Sequence, residues 1–200
     1  MPLVKAFSEQ LPHVRLATVE GLSAYMLEWL NVGRVDCALV YNATVTPAVD
    51  LQPLLDEQLF LITPLEEKNA RRSRKTVTLA ELAEYPLIIP SRPHAMRMTV
   101  ENAMAGVDQK IRVAHEIESI PAIVDLVRQR HGFAVLPFNA IKSTRWADEV
   151  LVKPIITPVL KTPLSVATSA QRPKSSLLRK AGELIRDVVR QEIRSPEVLS

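Results

Sequence analysis

Short apolar runs along this chain alternate with longer stretches whose apolar residues recur every three or four positions, a pattern that predicts mixed α/β structure. Residues 14–20, VRLATVE, set Val14, Leu16 and Thr18 against Arg15, Ala17 and Val19 and predict a strand. From Ser23 the spacing becomes helical. Leu22 as a staple, Ser23 as N-cap, Leu27 and Leu30 on one face and Gly33 at the end predict a helix over 24–32. Asp36 introduces CALVY at 37–41, an uncharged run that suits a strand covered on both faces of a parallel sheet. Strand, helix and strand then predict one right-handed βαβ unit.

QLFLIT at 58–63 predicts another strand before Pro64. The stretch 66–75, EEKNARRSRK, is too polar to bury and reads as a surface loop. Thr78 begins a short helix through Ala83 that Pro86 ends, and LIIP at 87–90 is a buried strand. Ser91 opens a helix over about 93–105 that closes near Gly106. IRVAHEIE at 111–118 is a strand, Ser119 caps a helix carrying Ile123, Leu126 and Val127, and Gly132 terminates it. FAVLP at 133–137 is a second buried strand, followed by a helical turn around Ala140. Residues 150–157, VLVKPIIT, are extended, but Pro154 has no amide hydrogen and so predicts an edge or crossing segment that links and builds no core. LSVATS at 164–169 is a strand, and the apolar positions from Leu177 to Val189 predict a long amphipathic helix over 174–193. No period of the length that builds solenoids appears.

Composition narrows the function classes. At 47% hydrophobic and 24% charged residues, the chain of 200 residues builds a core and is not a disordered tail. Twenty-five Lys and Arg against 22 Asp and Glu leave a net charge of only +3, less than a sequence-independent nucleic-acid binder carries. Cys37 stands alone, which excludes an internal disulfide, and no signal-peptide pattern is present; the chain reads as cytoplasmic. Its apolar runs are too short to span a bilayer, so no membrane partner is expected.

The order of motifs resembles the effector-binding domain of LysR-type transcriptional regulators. EGLSAYMLEWLNVGRVDCALVY at 20–41 matches that pattern: Glu-Gly, a Ser-capped helix, a Gly turn and an Asp-led strand. The likeness continues through the strand at 58–63, TLAELAEYPLIIPSRPHAMR at 78–97, EIESIPAIVDLV at 116–127 and RHGFAVLP at 130–137, and covers nearly the whole chain. It implies an α/β fold of two Rossmann-like subdomains joined by two crossover strands, type II periplasmic-binding-protein-like, with a small-molecule cleft between them. Residues 1–63 plus 160–200 would form regulatory subdomain I and residues 64–159 regulatory subdomain II. The winged helix-turn-helix with which such regulators read DNA is not found in these residues, so DNA is expected as a partner only through a domain outside them. The resemblance also implies that the family's first strand precedes the helix into which Met1 to Glu9 fall, so that this sequence is truncated at its N-terminus. A segment of another copy, or the tail after Arg194, is expected to fill the space. It further implies homodimers or tetramers in which the helix at about 22–32 packs on a second chain.

In open α/β sheets, ligands collect beyond the carboxyl ends of strands, where helix N-termini present free amides. That rule selects Tyr41 and Asn42 after CALVY, Ser91 and Arg92 after LIIP, Ser119 and Ile120 after HEIE, and Phe138 with Asn139 after FAVLP. Ser91 and Ser119 also serve as simple N-caps, and Arg92 as a solvated cation or the planar fork that holds an anion. Thr44 and Thr46 lie in a loop that borders the pocket in the family, although turn chemistry before Pro47 also accounts for them. Packing is the favoured role for Cys37. His13, His94, His115 and His131 lack metal-pair spacing, and neither CxxC nor HExxH occurs, so no metal is expected. No phosphate-cradling glycine motif exists, so no cofactor is expected either. The basic run Arg71, Arg72, Arg74 and Lys75 reads as a solvated loop.

The sequence therefore predicts a ligand-sensing regulatory domain that binds a small anionic metabolite and is not an enzyme. Two other classes share the architecture. A solute-binding protein of a transport system would need a secretory leader, and an enzyme would need a convergent acid, base or nucleophile, of which no constellation is found.

Overall fold

The computed structural model describes residues 2–65, 75–173 and 175–193. In chain order the helices are α1 (Pro2–Gln10), α2 (Ser23–Val32), α3 (Ala95–Ala105), α4 (Ile120–Arg128), α5 (Phe138–Lys142) and α6 (Ser176–Glu192). The strands are β1 (Cys37–Tyr41), β2 (Val49–Pro64), β3 (Val77–Thr78), β4 (Pro86–Ile89), β5 (Arg112–Glu116), β6 (Ala134–Pro137), β7 (Val150–Ile156) and β8 (Lys161–Ser169). They fall into two compact units, Met1–Asp56 with Pro163–Arg194 and a second that includes Glu57–Thr162. The chain passes from one to the other inside β2 and returns inside β8.

In the first unit β1 pairs antiparallel with β8, Cys37 opposite Thr168 and Tyr41 opposite Leu164. Alternation along β8 sends Leu164 and Val166 into a core with Phe7, Leu54, Leu184 and Ile185, while Ala167 joins Met26, Leu30 and Val40 beside α2. Helix α6 is the long amphipathic helix the spacing predicts, capped by Ser175, whose Oγ accepts the Leu178 amide hydrogen at 3.1 Å. Gly33 closes α2 in the left-handed region at φ 75°, as expected of a glycine cap. Ser23 is not the N-cap: it is the first helical residue, and its Oγ accepts the Tyr41 amide hydrogen at 3.0 Å, tying α2 to the end of β1.

The predicted βαβ unit does not form. Residues 14–20 keep the alternation that suggested a strand, with Val14 and Leu16 half-buried between exposed Arg15 and Ala17, but they pair with no strand among the described residues. β1 is antiparallel to β8, and Leu39 in its middle is exposed, so it is not covered on both faces. A groove of about 690 Å³ is lined by residues 14–21 and 36–39, with Phe7, Met26 and Ile185 also on its walls. Among the described residues no strand lies beside 14–20, and alternation alone does not make a strand without a hydrogen-bonded neighbour.

The second unit is built on β2. Its residues Leu59 to Ile62 pair antiparallel with β6, and Phe60 to Pro64 pair antiparallel with β7. Leu59 and Leu61 enter one core with Leu82, Leu87, Ile89 and Val100, while Phe60 and Ile62 enter another with Ile88, Ile123, Val127 and Leu136. β3 adds to β7 in parallel, and β4 pairs in parallel with β5. Residues 150–156 are thus a sheet strand and not a mere link. Val150 and Ile155 are buried, and that burial outweighs the one donor Pro154 lacks opposite Phe60.

Other boundaries differ for local reasons. The helix expected at 78–83 is a 3-10 turn over Ala80–Glu84 preceded by β3, held by a capping box in which the Thr78 amide donates to Glu81 Oε2 at 2.8 Å and the Glu81 amide to Thr78 Oγ1 at 3.2 Å. Ser91 does not cap α3, which starts at Ala95; His94 is its N-cap, with Nδ1 accepting the Met96 amide hydrogen at 3.2 Å. Ser119 occupies the N-cap position of α4, but its hydroxyl makes no cap bond. The polar loop predicted at 66–75, with Arg71, Arg72 and Arg74, lies outside the described residues except for Lys75.

Gly132 has a role other than ending a helix. The left-handed residue after α4 is Arg130 at φ 67°, whereas a Cβ on Gly132 would lie 2.9 Å from Pro86 O and 2.9 Å from Ile88 Cγ1. Pro86 O accepts the Phe133 amide hydrogen at 2.9 Å, so this backbone cannot withdraw without losing that bond. We expect Gly132→Ala to cost about 1–3 kcal/mol; urea unfolding curves that superimpose for the two proteins would refute the close-approach explanation.

Candidate functional site

The carboxyl ends of the parallel strands β4 and β5 bring together Ser91, Arg92, Ser119 and Ile120, four of the predicted residues. Adjacency is enforced by the backbone: the Ile117 amide donates to Ile89 O at 3.1 Å, which places the two following loops side by side. The Ser91 amide donates to Glu118 Oε1 at 3.0 Å. Arg92, two-thirds exposed, is ion-paired at 2.9 Å with Glu101 of α3.

Behind this rim Arg97 is buried. Its Nε donates to Glu101 Oε1 at 2.9 Å, and its Nη1 donates both to Glu116 Oε1 at 2.8 Å and to Pro90 O at 3.1 Å. The bond to Glu116 is the main force raising the Arg97 pKa, with Glu101 adding to it against burial. Burial alone would raise the Glu101 carboxyl, but hydrogen bonds from Arg97 and Arg92 overcome it and hold that group below its ordinary range. Burial pushes the His94 imidazole down, and the Glu118 charge opposes that. Neutral His94 with an unprotonated Nδ1 fits its role as an acceptor at the cap.

The other predicted residues lie on other loops of the two units. Phe138 opens α5 and packs edge-to-face on Phe60 at 6.4 Å, and Asn139 Nδ2 donates to Glu57 Oε1 at 3.0 Å. In the first unit, Asn42 takes φ 47° and its amide donates to Pro163 O at 2.9 Å; Tyr41 ends β1, Thr44 is exposed, and Thr46 bridges to Val49. Cys37 has its thiol pushed up, first by burial and then by Asp36, which suits packing. Sequence reasoning missed Arg97, Glu101, Glu116 and Glu118. The i, i+4 spacing of Arg97 and Glu101 on α3 was one available signal. Among the described residues no group of three or more His, Cys, Asp or Glu could hold a metal ion.

Two α/β units traversed twice by the chain, with loops converging at strand carboxyl ends, define the type II periplasmic-binding-protein-like fold. The chain belongs to the LysR substrate binding domain family, whose profile matches residues 1–190. It is 28% identical over 189 residues to the nitrogen assimilation regulatory protein nac of Escherichia coli (strain K12), covering 94% of this chain and 60% of that protein. It is 23% identical over 193 residues to the transcriptional regulator BbuR of Bordetella bronchiseptica (strain ATCC BAA-588 / NCTC 13252 / RB50), covering 96% and 58%. The chain thus spans about three-fifths of the length of these curated relatives. Among solved structures, the BenM effector binding domain with its effector benzoate superposes with a TM-score of 0.80 at 20% identity, over 99% of this chain and 90% of that one. The effector binding domain of QuiR in complex with shikimate gives 0.76 at 18%, over 94% and 87%.

Proposed function

We propose that this chain is the ligand-sensing domain of a cytoplasmic LysR-type transcription regulator, and that it binds a small anionic metabolite without transforming it. The observation that carries this reading is the family match across residues 1–190 in a chain spanning three-fifths of relatives named as transcription regulators. The paired loops after β4 and β5 support a ligand site at Ser91, Arg92, Ser119 and Ile120, since backbone amides at strand carboxyl ends receive anions. Binding would act by population shift, favouring whichever conformation holds the ligand better, with DNA contacted through a winged helix-turn-helix elsewhere in the longer protein. Exposed Tyr25 and Val32 on α2, at 47% and 76%, support a homodimer through that helix. The groove beside β1 supports a first unit that lacks one strand of the longer protein.

A thermal-shift screen of small carboxylates tests the sensing role. A ligand present at about 100 times its dissociation constant adds about 2.7 kcal/mol to stability. Arg92→Ala is expected to weaken that response; a response identical in the native protein and this variant would remove Arg92 from the site.

A further inference from the structure

We infer that Glu118 is a built-in competitor for the effector anion, a side chain that holds the binding position at the Ser91 amide until a ligand displaces it; this rests on the ligand site proposed above. The first observation is positional. Ser91 follows β4 and Glu118 follows β5, so the two meet where the carboxyl ends of parallel strands offer amides to an anion, and the group the Ser91 N–H contacts there is a carboxylate of the chain itself, at 3.0 Å. The second is the charge inventory of the surrounding elements. Arg92 is paired with Glu101, and Arg97 with Glu101 and Glu116. Within this cluster two guanidinium groups stand against three carboxylates once Glu118 is counted. Removing the Glu118 charge makes the two signs equal and frees the amide.

The third observation is that Glu118 is exposed at the end of a loop. An exposed carboxylate whose hydrogen bond is to one backbone amide can swing into water, so occupancy by a ligand requires no rearrangement of β4, β5 or α3. His94, whose imidazole feels the Glu118 charge, caps α3 through Met96 and keeps the loop in place when Glu118 leaves. Glu118 thereby sets a threshold: a ligand has to present a carboxylate or an equivalent anion that bonds the Ser91 amide better than Glu118 does.

Calorimetric titration of the full chain with benzoate, shikimate and sulfate, for the native protein, Glu118→Gln and Glu118→Ala, tests the inference. Gln keeps the shape and an acceptor oxygen while removing the charge. Both variants are expected to bind at least one of these anions about tenfold more tightly than the native protein, with Ala at least as strong as Gln. Measurable binding that is equal in all three proteins would overturn the competitor role and leave the effector site standing. No binding by any of the three would overturn the anion site and the competitor together.

Discussion

Arg97→Met is expected to destabilise the protein by about 3 kcal/mol at neutral pH. Methionine preserves most of the apolar stem, so the loss isolates the charge. In the native protein the guanidinium answers Glu101, whose side chain is only 15% exposed, together with Glu116 and the Pro90 carbonyl. Removing it leaves a nearly buried carboxylate with only the exposed Arg92 beside it, and breaking a buried pair from one side costs about 3–5 kcal/mol. Arg92 keeps the expected value at the lower end of that range. The pH dependence gives an independent check. The native fold holds Glu101 below its ordinary value of 4.5, so the unfolded chain binds the proton more readily. The stabilisation from Glu101 is therefore complete above 4.5 and is lost as pH falls through the lower, folded value. In Arg97→Met the Arg97 share of what holds Glu101 down is gone while its burial remains, so the group binds a proton more readily than in the native protein and the deficit of the variant should shrink on acidification. Urea denaturation at pH 7 and pH 4.5 measures both; a deficit under about 1 kcal/mol at pH 7 would show that the pair contributes little.

The pattern of legibility follows from what each prediction needed. Elements whose partners lie nearby in sequence, or whose apolar stripe is long, were readable: α2 with its Gly33 cap, α6 with its seven-position apolar face, and the uncharged runs that became β4 and β6. Residues 14–20 failed because a strand is a property of two segments, and the alternation of Val14 and Leu16 says nothing of whether a neighbour is present. Residues 150–156 failed in the opposite direction, because β2 and β3 supply partners that outweigh the signal of Pro154. Turn-and-strand logic placed Ser91, Arg92 and Ser119 on the loops after β4 and β5, since the carboxyl-end rule depends only on element order. It could not find Glu118 or the Arg97 cluster, whose meaning arises from pairings 27 and 19 residues apart. Reading Ser91 as a cap was an error of the same kind: Arg92 and Pro93 intervene before the helix, and His94 takes over the capping.

Phe60→Ala is expected to cost about 3–5 kcal/mol, among the largest losses available to a single substitution in the second unit. Phe60 is 2% exposed on β2, paired opposite Leu136 of β6 on one side and Pro154 of β7 on the other, so neither strand can close in to fill the space. Its ring belongs to the core containing Ile88, Ile123 and Val127, the residues that seat α4 against β4, and it is the edge-to-face partner of Phe138 at the start of α5. The substitution therefore removes packing from the base of the elements that carry the β4 and β5 loops, in addition to the transfer free energy of the ring. Phe60→Leu, which leaves a smaller void, should lose clearly less. The comparison separates cavity formation from general intolerance of change: if Leu and Ala shift the urea midpoint equally, the residual void is not what determines the loss. A destabilisation below about 1.5 kcal/mol for Ala would mean that α5 collapses inward to replace the ring.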